Sequence, residues 1–598
     1  MLPSPHSFHI PVMGLGYTVD TPIKVARYGI SSVVSIMDDQ LLERMREIYC
    51  KKNQFDFDPI SEKETDYRAK RIQAYLDLMH KLIEGQMEEL DLHSQDGLSQ
   101  LETYMDLLPK NHPLKGLFTA FSRANSAQEK EKIGAQIQSL IQPGSVDVNI
   151  MTKVDKLNSD ENGELLPREF SDALSALRGF AQSKLEGAVI FSAGMNPALF
   201  AYLEEFSGFF PDEKGDLKKQ VVLKVSDYRS ALIQGKFLAK KGIWVSEFRI
   251  ESGLNCGGHA FATDGFLIGP ILEEFKANRR ELAQSLFEIC KEAHLQKGIE
   301  SFPTPPTLKI TYQGGIGTAE ENSFLQKHYQ LDGTGWGSPF LLVPEATSVD
   351  DDTLQRIIQS KREDFYLSHA SPLGVPFNNL RNSSAEEQRK NRIARNRPGS
   401  PCYKKFLSFN TDHTDQPICT ASRQYQNIQS VRFGKGEISE KELQETLVKD
   451  CLCEGLSAPA ILASGEIPKR KLSAVTICPG PNLAYFKGIY SLKEMVGHIY
   501  GKVKLTLEPD RPHVLIKEAQ LYVSYLKNEF EKVSEAATKR QIAYLEKFKS
   551  NLTQGIEYYQ GLIRDVQLDT EEKLVTMKNE LVELFEEIQQ MELKETIA

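Results

Sequence analysis

The sequence predicts a (β/α)8 barrel, an α/β fold of the TIM type, with a large helical insertion and a mixed, largely helical C-terminal region. Three observations carry this expectation. Short apolar runs of strand character recur eight times, near residues 10, 33, 148, 189, 223, 245, 310 and 335. Each run ends in polar or glycine residues, as barrel strands do at the end where active sites are built. The glycine turns are spread over many of these ends, whereas a doubly wound open sheet, the alternative, concentrates them after the first strand.

In chain order, Ile10-Pro11-Val12-Met13-Gly14-Leu15-Gly16 is an apolar run closing in glycines. Asp20-Thr21-Pro22 is a helix start, with proline in the first turn where its missing N–H costs nothing. A short helix, 23–28, then leads through Gly29 to the strand Ser32–Ile36, a compact βαβ unit. Residues 38–140 break the rhythm: 41–49, 67–90 and 127–141 have helical spacing and many charges, so they read as a helical insertion. Alternation resumes with the strand 146–151 and a helix over 168–184, then the strand 187–191 with Ser192-Ala193-Gly194 at its end and a helix from Pro197. The strand 221–225 follows, with a helix through Leu238. Trp244-Val245 leads into Glu251-Ser252-Gly253-Leu254-Asn255-Cys256-Gly257-Gly258-His259. The last two strands are 308–312, followed by Gly314-Gly315-Ile316-Gly317, and the run from Gly333, with Gly335, Gly337 and Ser338.

Two features point to chemistry. Glycine turns after strands 7 and 8 are where barrels bind phosphate through backbone N–H groups, and a Cβ there would hold the phosphate off the amides. Set against that is a purely structural use in tight turns. The glycine-rich turn after strand 6 ends in a histidine, a proton carrier near neutral pH. An exposed, idle histidine is the plain alternative.

As a set, these motifs resemble the flavin-dependent barrels of the nitronate monooxygenase family (2-nitropropane dioxygenase-like), which is also similar to flavin enoyl-acyl-carrier reductases. The resemblance runs over roughly 10–36 and 145–380: Pro11 to Gly16 followed by Thr21-Pro22, Val148-Asn149-Ile150, Glu251 through His259, Gly314-Gly315-Ile316, Gly335 through Leu341 with Glu345, and Ser371 to Pro376. It implies FMN across the strand ends, with Gly14, Gly257 and Gly258 against the cofactor and Gly314, Gly315, Gly337 and Ser338 holding its phosphate. Asn149 and Lys224 would lie by the ring, and His259 would be the catalytic acid–base. The implied activity is an FMN-dependent oxidoreductase resembling nitronate monooxygenases, acting on a small-molecule substrate. The alternatives are an NAD(P)H-dependent enoyl-thioester reductase and a non-catalytic flavin-binding subunit of a lipid or polyketide assembly. Asn255-Cys256, inserted before Gly257, and the length of the 38–140 insertion depart from the family pattern and leave the substrate open.

The rest of the chain is read by composition. Residues 1–380 are expected to form the barrel with its insertion, 381–400 a polar linker, 401–510 an accessory region and 511–598 a helical region. Five of the eight cysteines, Cys402, Cys419, Cys451, Cys453 and Cys478, fall in the accessory region without a Cys-X-X-Cys pair, so buried free thiols are expected over a metal site. Leu574, Met577, Leu581, Leu584, Phe585 and Ile588 recur at helical steps, giving a face that docks on the protein or pairs with another copy or a partner subunit. The net charge of -10 disfavours nucleic acid and anionic membranes as partners. The one basic run, Arg389 to Arg397, reads as a solvated connector. The chain has no run of 18 apolar residues and its first residues lack signal-peptide character, so a cytoplasmic protein is expected.

Overall fold

The computed structural model describes residues 4–92, 94–160, 162–192, 194–255, 264–532, 538–563 and 571–591. Its centre is a closed barrel of eight strands in chain order: β1 (Phe8–Ile10), β2 (Ser31–Ser35), β3 (Val146–Met151), β4 (Gly187–Ser192), β5 (Lys219–Val225), β6 (Val245–Glu251), β7 (Lys309–Gln313) and β8 (Gly333–Gly335). Every neighbouring pair is parallel, and β1 closes the barrel on β8 through Phe8↔Thr334 and His9↔Gly335. The strand sequence expected from the apolar runs is the one observed.

Side chains alternate in and out along each strand, so inward residues stack in layers. Val33, Ala188, Ile190 and Val222 form one apolar patch of the interior. A polar group completes it. Arg249 Nε donates to Glu247 Oε1 at 2.7 Å, Arg249 Nη2 reaches Asp147 Oδ2 at 3.4 Å, and Thr311 Oγ1 donates to Glu247 Oε1 at 2.5 Å. All four residues are buried. Burial alone would raise the Glu247 carboxyl, but the Arg249 guanidinium outweighs it and holds the group down to about 2. Burial also lowers the neighbouring His9, with Arg249 adding to the effect, to about 3. His9 is therefore neutral at ordinary pH.

The insertion between β2 and β3 is helical, as its spacing predicts: Asp39–Lys52, Tyr67–Glu88, Gln95–Leu107, Pro113–Arg123 and Ala127–Leu140. The first two pack on the barrel core, and the last three form a small core of their own around Leu101, Tyr104, Leu108 and Ile137. Sequence reading missed the helix Ile268–Lys297, whose buried stripe (Leu272, Phe275, Leu282, Leu286, Cys290) is diluted by charge on its other faces.

Residues 381–400 correct the linker expectation. They carry the helix Ser384–Ala394, started by Ser383, whose hydroxyl accepts from Glu386 N. It is tied in by Ala385 N to Val475 O at 3.2 Å and by Arg389 Nη1 to Leu447 O at 2.9 Å. Polar composition hid it, because the helix is anchored by hydrogen bonds and few apolar side chains. Farther on, buried residues from Leu452 to Ile588 share the core cluster of the barrel.

The C-terminal helices Val514–Lys532, Lys539–Leu562 and Glu571–Gln590 pack together, and Met577, Leu581, Leu584 and Ile588 are buried there. The expected apolar face is thus covered within the chain, among three packed helices. Glu518 fixes this layer to the barrel: its Oε2 accepts from Ile268 N at 3.0 Å and from Tyr559 Oη at 2.9 Å. Burial pushes its carboxyl up to about 8 from 4.5. A raised acid stabilises the fold while protonated, so this contribution is full below about 4.5 and is lost as pH rises through about 8. Glu518→Gln is therefore expected to flatten the fall in melting temperature between pH 5 and pH 9. Parallel wild-type and variant curves across that range would contradict it.

Candidate active site

A cavity of about 130 Å³ lies at the C-terminal ends of the strands. Its floor is Val12, Gly14, Ser35, Asn149, Ser192, Lys224 and Glu251, drawn from β2 to β6 and the turn after β1. These residues follow from the alternation: Asn149 stands one inward step above Asp147, and Glu251 one step above Arg249. The roof is apolar, with Phe377, Phe406, Leu407, Leu452 and Leu456, and Cys453 beside them.

Lys224 Nζ pairs with Glu251 Oε1 at 3.0 Å, and Gln313 Nε2 donates to the same oxygen at 2.7 Å. Lys224 is therefore a held cation facing the cavity. Asn149 Oδ1 is buried and has no hydrogen-bond partner among the described residues. An orphaned polar atom on a cavity wall is costly unless a ligand or water satisfies it. Gly14 has φ of 55° and sits against Tyr17, Cys478 and Leu456, so a side chain there would be strained and crowded.

The glycine turns after β7 and β8 meet around Asn255, which also lines the cavity. A Cβ on Gly314 would lie 3.5 Å from Asn255 N, and one on Gly480 would lie 2.7 Å from Asn255 O. Gly480 N donates to Ser338 Oγ at 2.9 Å. Among the described residues no acceptor is found for the N–H groups of Gly315, Ile316, Gly337 and Ser338, of which the last three are buried or nearly so. Clustered, unsatisfied amides at a turn and a helix start are an anion cradle. Gly314, Gly315, Gly337 and Ser338 thus gather in one place, next to the cavity rather than on its wall. Their N–H groups and the orphaned Asn149 oxygen are polar groups left open to a ligand at this end of the barrel. Gly257, Gly258 and His259, with Cys256, lie outside the described residues.

The roof is pinned to the barrel. Asp38, after β2, accepts from Lys404 Nζ at 2.6 Å and Ser457 Oγ at 2.6 Å, and caps Leu41 N at 3.0 Å. Gly16 N donates to Leu456 O at 2.8 Å. Sequence reading did not find Glu251, Asp38 or Lys404 as site residues. Glu251 had a signal, as the acidic residue opening the histidine motif; a partner some 370 positions away has none.

The cysteines divide. Cys478 is buried beside Gly14, whereas Cys451 and Cys453 neighbour Cys402. Donation from Cys451 and Cys453 to Cys402, with the amides of Lys404 and Lys405, pushes the Cys402 thiol well below its usual range. Among the described residues no group of three or more His, Cys, Asp or Glu is placed to hold a metal ion.

No protein-family model matches the chain. No curated protein matches it either. Among solved structures it is similar to FabK from Thermotoga maritima, at 13% identity over 68% of this chain and 86% of that one, with a TM-score of 0.30. It is also similar to the enoyl reductase domain of MlnA from the macrolactin biosynthesis cluster of Bacillus amyloliquefaciens (13% identity, 75% and 93% coverage, TM-score 0.32). A third is nitroalkane oxidase from Streptomyces ansochromogenes (11%, 77% and 97%, TM-score 0.29). At such scores the barrel rests on its own closed strand order.

Proposed function

We propose that the protein is a flavin-dependent oxidoreductase, with FMN as the flavin, working at the C-terminal mouth of the barrel. The observation that carries this is the pairing of the orphaned Asn149 oxygen, beside Lys224, with the acceptor-free amides of Gly315, Ile316, Gly337 and Ser338. Bound there, a flavin supplies reversible two-electron chemistry. The protein's part is position and charge. The amides and Ser338 hold the phosphate. Asn149 orients the ring through a hydrogen bond, and Lys224, kept in place by Glu251, provides a cation for an electron-rich ring. His259 exchanges a proton with the substrate. The apolar roof excludes water, and the small cavity requires that roof to part as a cofactor-sized ligand enters, since such ligands fill about 300–1,000 Å³.

Titrating the protein with FMN tests this. The expected result is a saturable change in the flavin spectrum with a Kd of about 1 μM or below, weakened about tenfold or more in Asn149→Ala. No spectral change would sink the flavin reading. Two reactions suit the site. Nitronate-type oxidation, with His259 as base, is the first. The second, NAD(P)H-dependent reduction of an enoyl thioester, is favoured by one observation: the roof of Phe377, Phe406, Leu407, Leu452 and Leu456 is a surface for an acyl chain. Rapid bleaching of the bound flavin by NAD(P)H would select it.

A further inference from the structure

A second cleft, of about 490 Å³, lies away from the barrel mouth, between the helix Ser384–Ala394 with its following turn and the start of the helix Arg423–Gly434. Arg392, Arg395, Arg397 and Arg423 line it. None of the four has a carboxylate partner within ion-pair distance among the described residues. The nearby carboxylates are engaged. Glu387, which also lines the cleft, is held by Arg356 Nη1 at 2.8 Å, and Glu386 by Arg389 at 2.7 Å. Asp450 acts on Arg392 from a neighbouring small cleft. Burial lowers the affinity of Arg392 for its proton, and Arg423 lowers it further against the pull of Asp450, so these two cations feel each other directly.

The arrangement is built, not incidental. Arg397 N donates to Arg392 O at 2.9 Å, and Arg423 N to Ser400 O at 3.0 Å. Gly399 has φ of 82°, and a Cβ there would come 2.6 Å from the Arg423 backbone, so the turn is pressed against the start of the helix. Arg423 opens that helix, whose dipole adds to the positive field. Arg395, Arg397 and Arg423 are exposed and Arg392 is half-buried, so four cations gather around one hollow open to solvent in a chain of net charge -10.

We propose that this cleft binds a small ligand carrying clustered phosphates, of the pyrophosphate or nucleoside-diphosphate kind. Guanidinium forks match phosphate oxygens two at a time, and four of them spread around one hollow suit a ligand with more than one phosphate. The concavity and volume suit a small molecule, whereas an acidic protein surface would need a broad, flat patch. The basic run Arg389 to Arg397, read from sequence as a solvated connector, thereby acquires a use.

The test is calorimetric titration of the full chain with inorganic pyrophosphate, adenosine diphosphate and orthophosphate, in wild type and in the Arg395→Ala/Arg423→Ala double variant. Saturable binding of pyrophosphate or the diphosphate with a Kd of about 100 μM or below is expected, at least about tenfold tighter than orthophosphate and weakened at least about tenfold in the double variant. The variant's melting temperature and FMN titration should match wild type. Three results would overturn the proposal: no saturable binding of either diphosphate, binding undiminished in a folded double variant, or orthophosphate binding as tightly as pyrophosphate.

Discussion

Arg249→Ala is expected to destabilise the protein by about 3–5 kcal/mol. The guanidinium is the only cation touching both Glu247 and Asp147 among the described residues, and all three are buried. Truncation leaves two carboxylates facing each other in a closed barrel. Burial already raises the Asp147 carboxyl while Arg249 opposes it, so without Arg249 both acids would take up protons. The variant should regain part of its stability as pH falls toward the ordinary carboxylate range near 4.5, before wild type loses the Glu247 contribution as pH falls from about 4.5 through about 2. Chemical denaturation of wild type, Arg249→Ala, Glu247→Gln and the double variant measures the coupling. A loss below about 1 kcal/mol for Arg249→Ala would mean that water enters the barrel and solvates the acids.

His259→Ala is expected to lower turnover by about 10²–10⁴-fold while FMN still binds, the size of effect that follows removal of a positioned acid–base group. The residue follows Asn255, which lines the cavity, by four positions along the chain. Its proposed work is proton exchange with the substrate, so the loss should fall on kcat, and the pH profile should lose the limb that reports the histidine. Unchanged turnover would remove His259 from the mechanism and turn attention to Glu251 and Lys224, the charged pair already on the cavity wall.

The barrel was legible because parallel strands buried on both faces must be nearly continuous apolar runs, and 187–191 and 221–225 are such runs. The glycine turns after β7 and β8 were legible because close approach of backbone demands glycine. The polar interior was not. Arg249 and Glu247 look like surface residues of an alternating strand until closure turns that face inward. The roof was equally hidden, since Asp38 meets Lys404 and Ser457 only after the whole barrel is wound between them. The helix Ser384–Ala394 was lost to its composition, which is that of a loop.

Closure of β1 on β8 sets an order of events during synthesis. Residues 8–9 pair with 334–335, so the first strand leaves the ribosome with one edge open until more than three hundred further residues have been made. The roof comes later still, because Lys404 and Ser457 follow β8 in the chain. Until then the apolar barrel residues that share a core with residues 452–588 face water. A chain stopped near residue 380 is accordingly expected to aggregate, even though it contains every strand of the barrel.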